Sequence, residues 1–304
     1  LGVGAMLVSY VIGPIIGGTY IFVKNKITKY ISVKSASKRD LKVVFRYAVP
    51  LVPNELSWSI IHSSDKMVIS SFISIAANGI IAVACKFSTI YTTVFSIFNT
   101  SWTEQVVLHY KDDGGPEYIA HMFDKVITFF GSMAVGIIAA MPFAFKILVD
   151  SKFSTAYNLV PFYMTAVFFN AIIGMISAIY LIENETKRVA ISTMIAAMIN
   201  LLVDLCLVKL IGIFAAPVSS ICGYAFISFW RLYDINKRHC KIGMPLKKVA
   251  LLLSMLLITC VTYYTNMIMF QSISLIYVIV VAFVLNCSSI KEFSYVILSR
   301  FKIK

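Results

Sequence analysis

Nine uninterrupted apolar stretches divide this chain, each near the roughly 20 residues that an α-helix needs to cross hydrocarbon. They cover residues 3–23, 47–73, 79–102, 125–149, 157–182, 189–208, 213–232, 246–265 and 272–290. None alternates strictly between apolar and polar, so barrel strands of about ten residues do not fit them. Over 304 residues, 59% are hydrophobic and 13% charged. A soluble fold has too little interior to hide that much apolar surface. The expected fold class is therefore an all-α polytopic membrane protein with about nine transmembrane helices.

The net charge of +13 is explained by where the basic residues fall. Placing the 24–46 connection in the cytoplasm fixes every later loop by alternation. Of the 27 Lys and Arg residues, only Lys146, Lys152 and Lys209 then lie outside, and Lys66 and Lys86 lie within spans. The other 22, from Lys24 to Lys304, gather on the cytoplasmic side. That is the positive-inside pattern of a multi-pass protein of the cytoplasmic membrane, with anionic lipid headgroups as neighbours. It is not a nucleic-acid surface. The outer connections, 74–78, 146–156, 209–212 and 266–271, are too short to carry a domain. The chain begins at Leu1, and the expectation is a C-terminal part of a longer protein.

Soluble-site chemistry is not evident. Cys85, Cys206, Cys222, Cys240, Cys260 and Cys287 form no CxxC pair, and their positions argue against disulfides. His62, His109, His121 and His239 have no paired metal-ligand spacing. Phosphate loop, nucleophile elbow and dinucleotide fingerprint are all missing. The sequence predicts no catalytic residue, no metal and no cofactor.

What stands out is polarity inside the membrane, where a charge at a helix centre costs roughly 2.5–3.5 kcal/mol on insertion scales. The second span carries Pro50, Pro53, Asn54, Glu55, Trp58, His62, Ser63, Ser64, Asp65 and Lys66. Glu55, Trp58, His62 and Lys66 are spaced three or four apart and share one helical face, with Asn54 and Asp65 on a neighbouring stripe. Such a helix cannot face lipid. Lys86 in the third span sits roughly 10 Å below the outer helix end, the depth that Asp65 and Lys66 reach in the antiparallel neighbour. This predicts an Asp65–Lys86 ion pair or a shared charged pocket with a positive balance. Its plainer reading is an interhelical pair that only fixes packing.

Other polar positions read as structural. Asp204 lies near Lys209 at an outer end, where snorkelling or a local pair accounts for it. Trp102 reads as an interfacial anchor, and Asn170 and Asn200 as interhelical hydrogen-bond glue. Pro50 and Pro53 read as kinks or helix starts.

Several segments resemble a known family. Phe45-Arg-Tyr-Ala-Val-Pro-Leu-Val-Pro-Asn54, Trp58 and Ser64-Asp-Lys-Met-Val-Ile69 are similar to the seventh helix of Wzx-type polysaccharide flippases. Those transporters share a superfamily with multidrug exporters and lipid II flippases. The resemblance continues through Ala77-Asn-Gly-Ile-Ile-Ala-Val-Ala-Cys-Lys-Phe87, Trp102-Thr-Glu104 and the segment from Asn200 to Ile213. It covers residues 41–234. Lys209 and Asp204 depart from it, standing where the family often has Pro and Asn.

The resemblance implies two six-helix lobes around a central cavity. Residues 1–45 would be the last helix of a first lobe plus a basic linker, 46–235 the second lobe, and 236–304 two additional helices and a basic tail. It further implies alternating-access flipping of a polyprenyl-diphosphate-linked oligosaccharide for cell-surface polysaccharide such as O-antigen or capsule. The residues to carry this are Lys66 and Lys86 for anion attraction. Asp65, Glu55 and His62 would exchange a coupling proton or sodium ion, with Trp58 and Asn54 lining the cavity. The rivals are a cation-coupled multidrug exporter, a membrane polysaccharide polymerase or acyltransferase, and a purely structural subunit.

Overall fold

The computed structural model describes residues 2–30, 37–238, 241–243, 246–265 and 267–301. Lys34, His239, Cys240, Asn266, Lys302 and Lys304 lie outside the described residues. Among those described there is no strand, and the helices run in chain order as follows. Helix α1 (Gly2–Lys24) and a short 3-10 turn precede α2 (Lys38–Ala48). Then come α3 (Leu51–Phe72), α4 (Ile75–His109) and α5 (Gly115–Leu148). A 3-10 segment (Ser151–Leu159) leads into α6 (Val160–Ile182), which is followed by α7 (Thr186–Ile211) and α8 (Ala215–Arg238). Helices α9 (Leu246–Tyr263) and α10 (Ile268–Phe301) complete the chain. Each of the nine apolar stretches falls on one of the long helices, and α2 is the additional, amphipathic one. The protein is an all-α polytopic membrane protein. By length and composition alone five helical stretches qualify as spans, one of them the joined pair α7–α8. Helix α3 does not qualify, because Glu55, Asp65 and Lys66 interrupt its apolar character.

Two compact units divide the chain at Val49 and Pro50. In the first, α2 starts at a capping box. The Ser37 hydroxyl accepts the Asp40 N–H, and the Asp40 carboxylate accepts the Ser37 N–H. Leu41, Val44, Phe45 and Ala48 recur at helical spacing, opposite Lys38, Arg39, Lys42 and Arg46. No residue of α2 is buried. Such a helix suits the plane of a membrane interface, apolar face down and basic face to headgroups.

The second unit holds the bundle. Helix α7 packs against α3 and α8, α6 against α4 and α8, and α5 against α6, α9 and α10. The core between α4, α5 and α6 is aromatic: Phe130 meets the rings of Tyr91, Phe95 and Phe98 at 5.1–5.7 Å. Trp102 belongs to this core rather than to the interface. It is buried, and its indole N–H donates to the Met175 carbonyl of α6 at 2.9 Å. Sequence position near a helix end pointed to an anchor; the open carbonyl on α6 decides otherwise.

Close backbone approach shapes the α7–α8 contact. A Cβ at Gly223 would stand 3.2 Å from the Ala196 carbonyl oxygen and 3.3 Å from the Asn200 side chain. Only a residue without a side chain lets α8 lie this near α7. The turn between them passes through Gly212 at φ +60°, a conformation that L side chains rarely adopt. Replacing Gly223→Val should wedge the two helices apart and destabilise the lobe by about 1–3 kcal/mol. The thermal unfolding midpoint of the purified protein should drop, and an unchanged midpoint would refute the close-approach account.

Candidate functional site

Helix α3 is polar on two faces, and the two are satisfied differently. Its inward face reads Asn54, Ser57, Ile61, Ser64, Asp65 and Val68, all buried, at the three- and four-residue spacing of one helical side. Its other polar face reads Glu55, Ser59, His62, Ser63 and Lys66, all exposed. Four of these line an open groove with Trp58 and Asn170: Glu55, Ser59, His62 and Ser63. Trp58 is half-buried, stacked on His62 with ring centroids 5.9 Å apart and resting on Tyr224 at 5.8 Å.

The inward face is tied to the bundle by two hydrogen-bond clusters. Near the N-terminal end of α3, the Thr193 hydroxyl of α7 donates to Asn54 Oδ1 at 2.8 Å. Thr193 in turn accepts from Arg231 Nη2 of α8 at 2.8 Å. Arg231 is only 1% exposed. Its other donors go to Ser192, Ser177 and the Val189 carbonyl at 2.9–3.2 Å. Among the described residues no carboxylate pairs with it. The nearby Asp234 is held instead by Tyr180 at 2.8 Å, Arg188 at 3.2 Å and Arg238 at 3.1 Å. A buried guanidinium thus fastens α8 to α6 and α7 and, through Thr193, to α3.

The second cluster lies toward the C-terminal end of α3. The Ser64 hydroxyl donates to Asn200 Oδ1 at 3.0 Å, and Asn200 Nδ2 donates to Ser219 Oγ at 3.2 Å. Asp65 accepts from Ser220 at 3.0 Å and from Ser219 at 3.4 Å. One turn from Asn200 on α7 stands Asp204, fully buried, with both carboxylate oxygens lacking a hydrogen-bond partner. It is within electrostatic reach of Asp65. Two acids therefore share a buried site with hydroxyl and amide groups and no basic partner among the described residues. A bare carboxylate is not sustained in such surroundings; it takes a proton or a cation. Carboxylate, amide and hydroxyl oxygens together suit a proton or a hard cation. No group of three or more His, Cys, Asp or Glu side chains comes together among the described residues.

The expected Asp65–Lys86 pair is not formed among the described residues. Asp65 turns inward to the α8 hydroxyls, while Lys86 is exposed on α4. Equal depth put the two side by side; helix rotation sends them to different faces. Lys66, the residue next to Asp65, is likewise rotated outward, and its carbonyl accepts from Asn78 of α4 at 3.0 Å. Asp204 does not pair with Lys209 either: Lys209 is exposed, its ammonium 5.7 Å from the Phe72 ring.

A further stripe went unread in the sequence. Lys86, Thr89, Thr93, Ser96 and Thr100 recur at three- and four-residue steps along α4, all exposed. The hydroxyls donate back to carbonyls three or four residues earlier, as in Thr93 to Thr89 at 2.8 Å and Ser96 to Thr93 at 2.8 Å. Their lone pairs stay open to a ligand. The spacing was there to be found; Ser and Thr simply do not stand out against an apolar background as charges do.

No protein-family model matches the sequence, and no curated protein matches it. Among solved structures, the chain is similar to one described as lipid II flippase MurJ in an inward closed conformation. The TM-score is 0.58 at 18% identity, over 85% of this chain and 55% of that one. The likeness is one of fold, and the chain spans little more than half of the structure it matches.

The Arg231 cluster makes a clear expectation. Arg231→Met strands the hydroxyls of Ser177, Ser192 and Thr193, each loss worth up to about 1–3 kcal/mol. Thermal unfolding should show a large loss of stability, whereas exposed Lys86→Met should stay within about 0.5 kcal/mol of the parent. Equal effects would contradict the assignment of these two cations.

Proposed function

We propose that this chain carries one six-helix lobe, with flanking helices, of a flippase for a lipid-linked oligosaccharide, working by alternating access. The observation that carries this reading is the outward polar face of α3, together with the exposed hydroxyl stripe of α4. A row of acid, imidazole, hydroxyl and ammonium groups at bilayer depth needs water or a polar ligand in front of it. In a lobe of this fold, that front is a central cavity.

The chemistry of a polyprenyl-diphosphate oligosaccharide fits the parts. Lys66 and Lys86 are the exposed cations of the two stripes and supply attraction for the diphosphate. Ser59, Ser63, Thr89, Thr93, Ser96 and Thr100 offer hydroxyls to sugars, and Trp58 with Asn170 offers a ring and an amide. Asp65 and Asp204 are the site for the coupling ion, a proton or sodium. Asp65 on the inward face of α3 and Asp204 on α7 lie behind the outward face, so neutralising them changes how firmly α3 sits against α7 and α8. Binding of the ion thereby biases one state of the lobe over the other, by the difference in its affinity for the two. The cell-surface polysaccharide served, O-antigen or capsule, follows from the sequence resemblance alone. The cytoplasmic membrane follows from the basic cytoplasmic loops.

One observation favours a second reading. Glu55 and Trp58 lie on the same groove, and an acid beside an aromatic ring suits an organic cation. This is the cation-coupled multidrug exporter.

Reconstitution in vesicles separates the two. The protein should move polyprenyl-diphosphate oligosaccharide to the opposite leaflet and leave cationic dye in place. Lys66→Ala with Lys86→Ala should slow flipping at least tenfold with normal expression. Dye efflux with no flipping would overturn the proposal. Asp65→Asn and Asp204→Asn should each remove the dependence of rate on an imposed proton or sodium gradient. A gradient response that survives both would overturn the ion site alone.

A further inference from the structure

A second opening lies away from α3 and owes nothing to the transport reading. A cavity of about 390 Å³ lies among α5, α6, α8 and α9. Its lining is apolar, with Ile127, Val135, Phe168, Leu232, Leu252 and Leu256 prominent. Cores are close-packed, and voids larger than a water are few. This one is held open from both ends. At the cytoplasmic end the Lys248 ammonium pairs with the Asp124 carboxylate of α5 at 2.5 Å. At the outer end the ring of Tyr263 stacks on Tyr157 at 4.2 Å. The same two residues exchange hydroxyl-to-carbonyl hydrogen bonds of 3.1 and 2.7 Å, and the Tyr264 hydroxyl donates to the Asn158 carbonyl at 3.0 Å. Between these fastenings α9 rests on α5 through Leu252 and Met255, which are buried with Val135 and Ala139, and the cavity lies beside that contact. Gly131 thins the opposite wall: a Cβ there would come within 3.2–3.3 Å of Phe168 and Leu252.

The cytoplasmic mouth of the cavity is marked by Asn236, Ile242 and Gly243. Next to these in sequence stand Lys237 and Lys241, and Lys247 opens α9. All three are exposed, and none has a carboxylate partner among the described residues. An apolar cavity at bilayer depth with unpaired ammonium groups at its cytoplasmic rim complements one kind of molecule, a hydrocarbon chain carrying an anionic head. We propose that this cavity is a binding site for an anionic glycerophospholipid of the cytoplasmic leaflet. One acyl chain fills the space under α9, and the phosphate meets Lys237, Lys241 and Lys247. The lipid then fills the space that the direct contact of α9 with α5 and the two fastenings leave open.

Native mass spectrometry of the purified protein, titrated with dioleoyl phosphatidylglycerol or dioleoyl phosphatidylcholine, tests this. Phosphatidylglycerol should be retained at least tenfold more tightly. Lys241→Gln and Lys247→Gln should each weaken that preference about fivefold, the effect of one lysine near an anionic headgroup. Ala134→Phe and Thr165→Phe fill the cavity and should release both lipids; the surface lysine variants keep the test decisive if the filled ones fail to fold. Equal retention of the two lipids would overturn the proposal, as would wild-type retention in both filled variants. Displacement of phosphatidylglycerol by polyprenyl phosphate would overturn it too, by assigning the cavity to a carrier lipid's tail.

Discussion

The lobe depends on how α3 is satisfied in a solvent that forms no hydrogen bonds. Hydrocarbon leaves every polar group to find a protein partner or a wet cavity. Helix α3 carries too many such groups for either answer alone, and it uses both. Asn54, Ser64 and Asp65 turn into α7 and α8, where Thr193, Asn200, Ser219 and Ser220 receive them. Glu55, Ser59, His62, Ser63 and Lys66 turn out into open space. The rotation of one helix thus decides which residues bind the bundle together and which remain for a ligand.

Helices α7 and α8 are arranged around that need. Gly223 lets them close to contact distance, and the small residues at the contact bring Asn200 within reach of both Ser64 and Ser219. Arg231 fastens the half around the start of α3 using hydroxyls and a carbonyl in place of a counter-ion. The other half holds the opposite charge type, with Asp65 and Asp204 both buried. A fixed cation in one half and two titratable acids in the other give α3 a firm end and an adjustable end. In the proposed cycle the adjustable end is where an ion acts.

Much of this was legible in the chain. Nine apolar stretches became nine helices because hydropathy and length report the bilayer directly. The shared face of Glu55, His62 and Lys66 was legible because helical spacing fixes a side chain's direction. Partners were not legible. Asp65 and Lys86 share a depth, but depth says nothing of rotation about the helix axis. Asp204 was assigned to Lys209 because the two are near in sequence, whereas burial against α3 and α8 is a property of the fold. Arg231 looked like a loop cation because the hydroxyls that hold it, Ser177, Ser192 and Thr193, are scattered over α6 and α7. Trp102 looked like an interface anchor because a carbonyl at Met175 leaves no trace in the sequence.

The central claim is that the outward face of α3 borders water within the membrane. Single cysteines at Ser59, Ser63, Leu56 and Ile60, in a protein freed of its own cysteines, test it by reaction with a charged, membrane-impermeant thiol reagent. The account predicts that Ser59→Cys and Ser63→Cys react in intact membranes, while Leu56→Cys and Ile60→Cys, on the apolar exposed side of the same turns, do not. Equal reactivity at all four positions, or none at any, would contradict a water-filled cavity in front of α3.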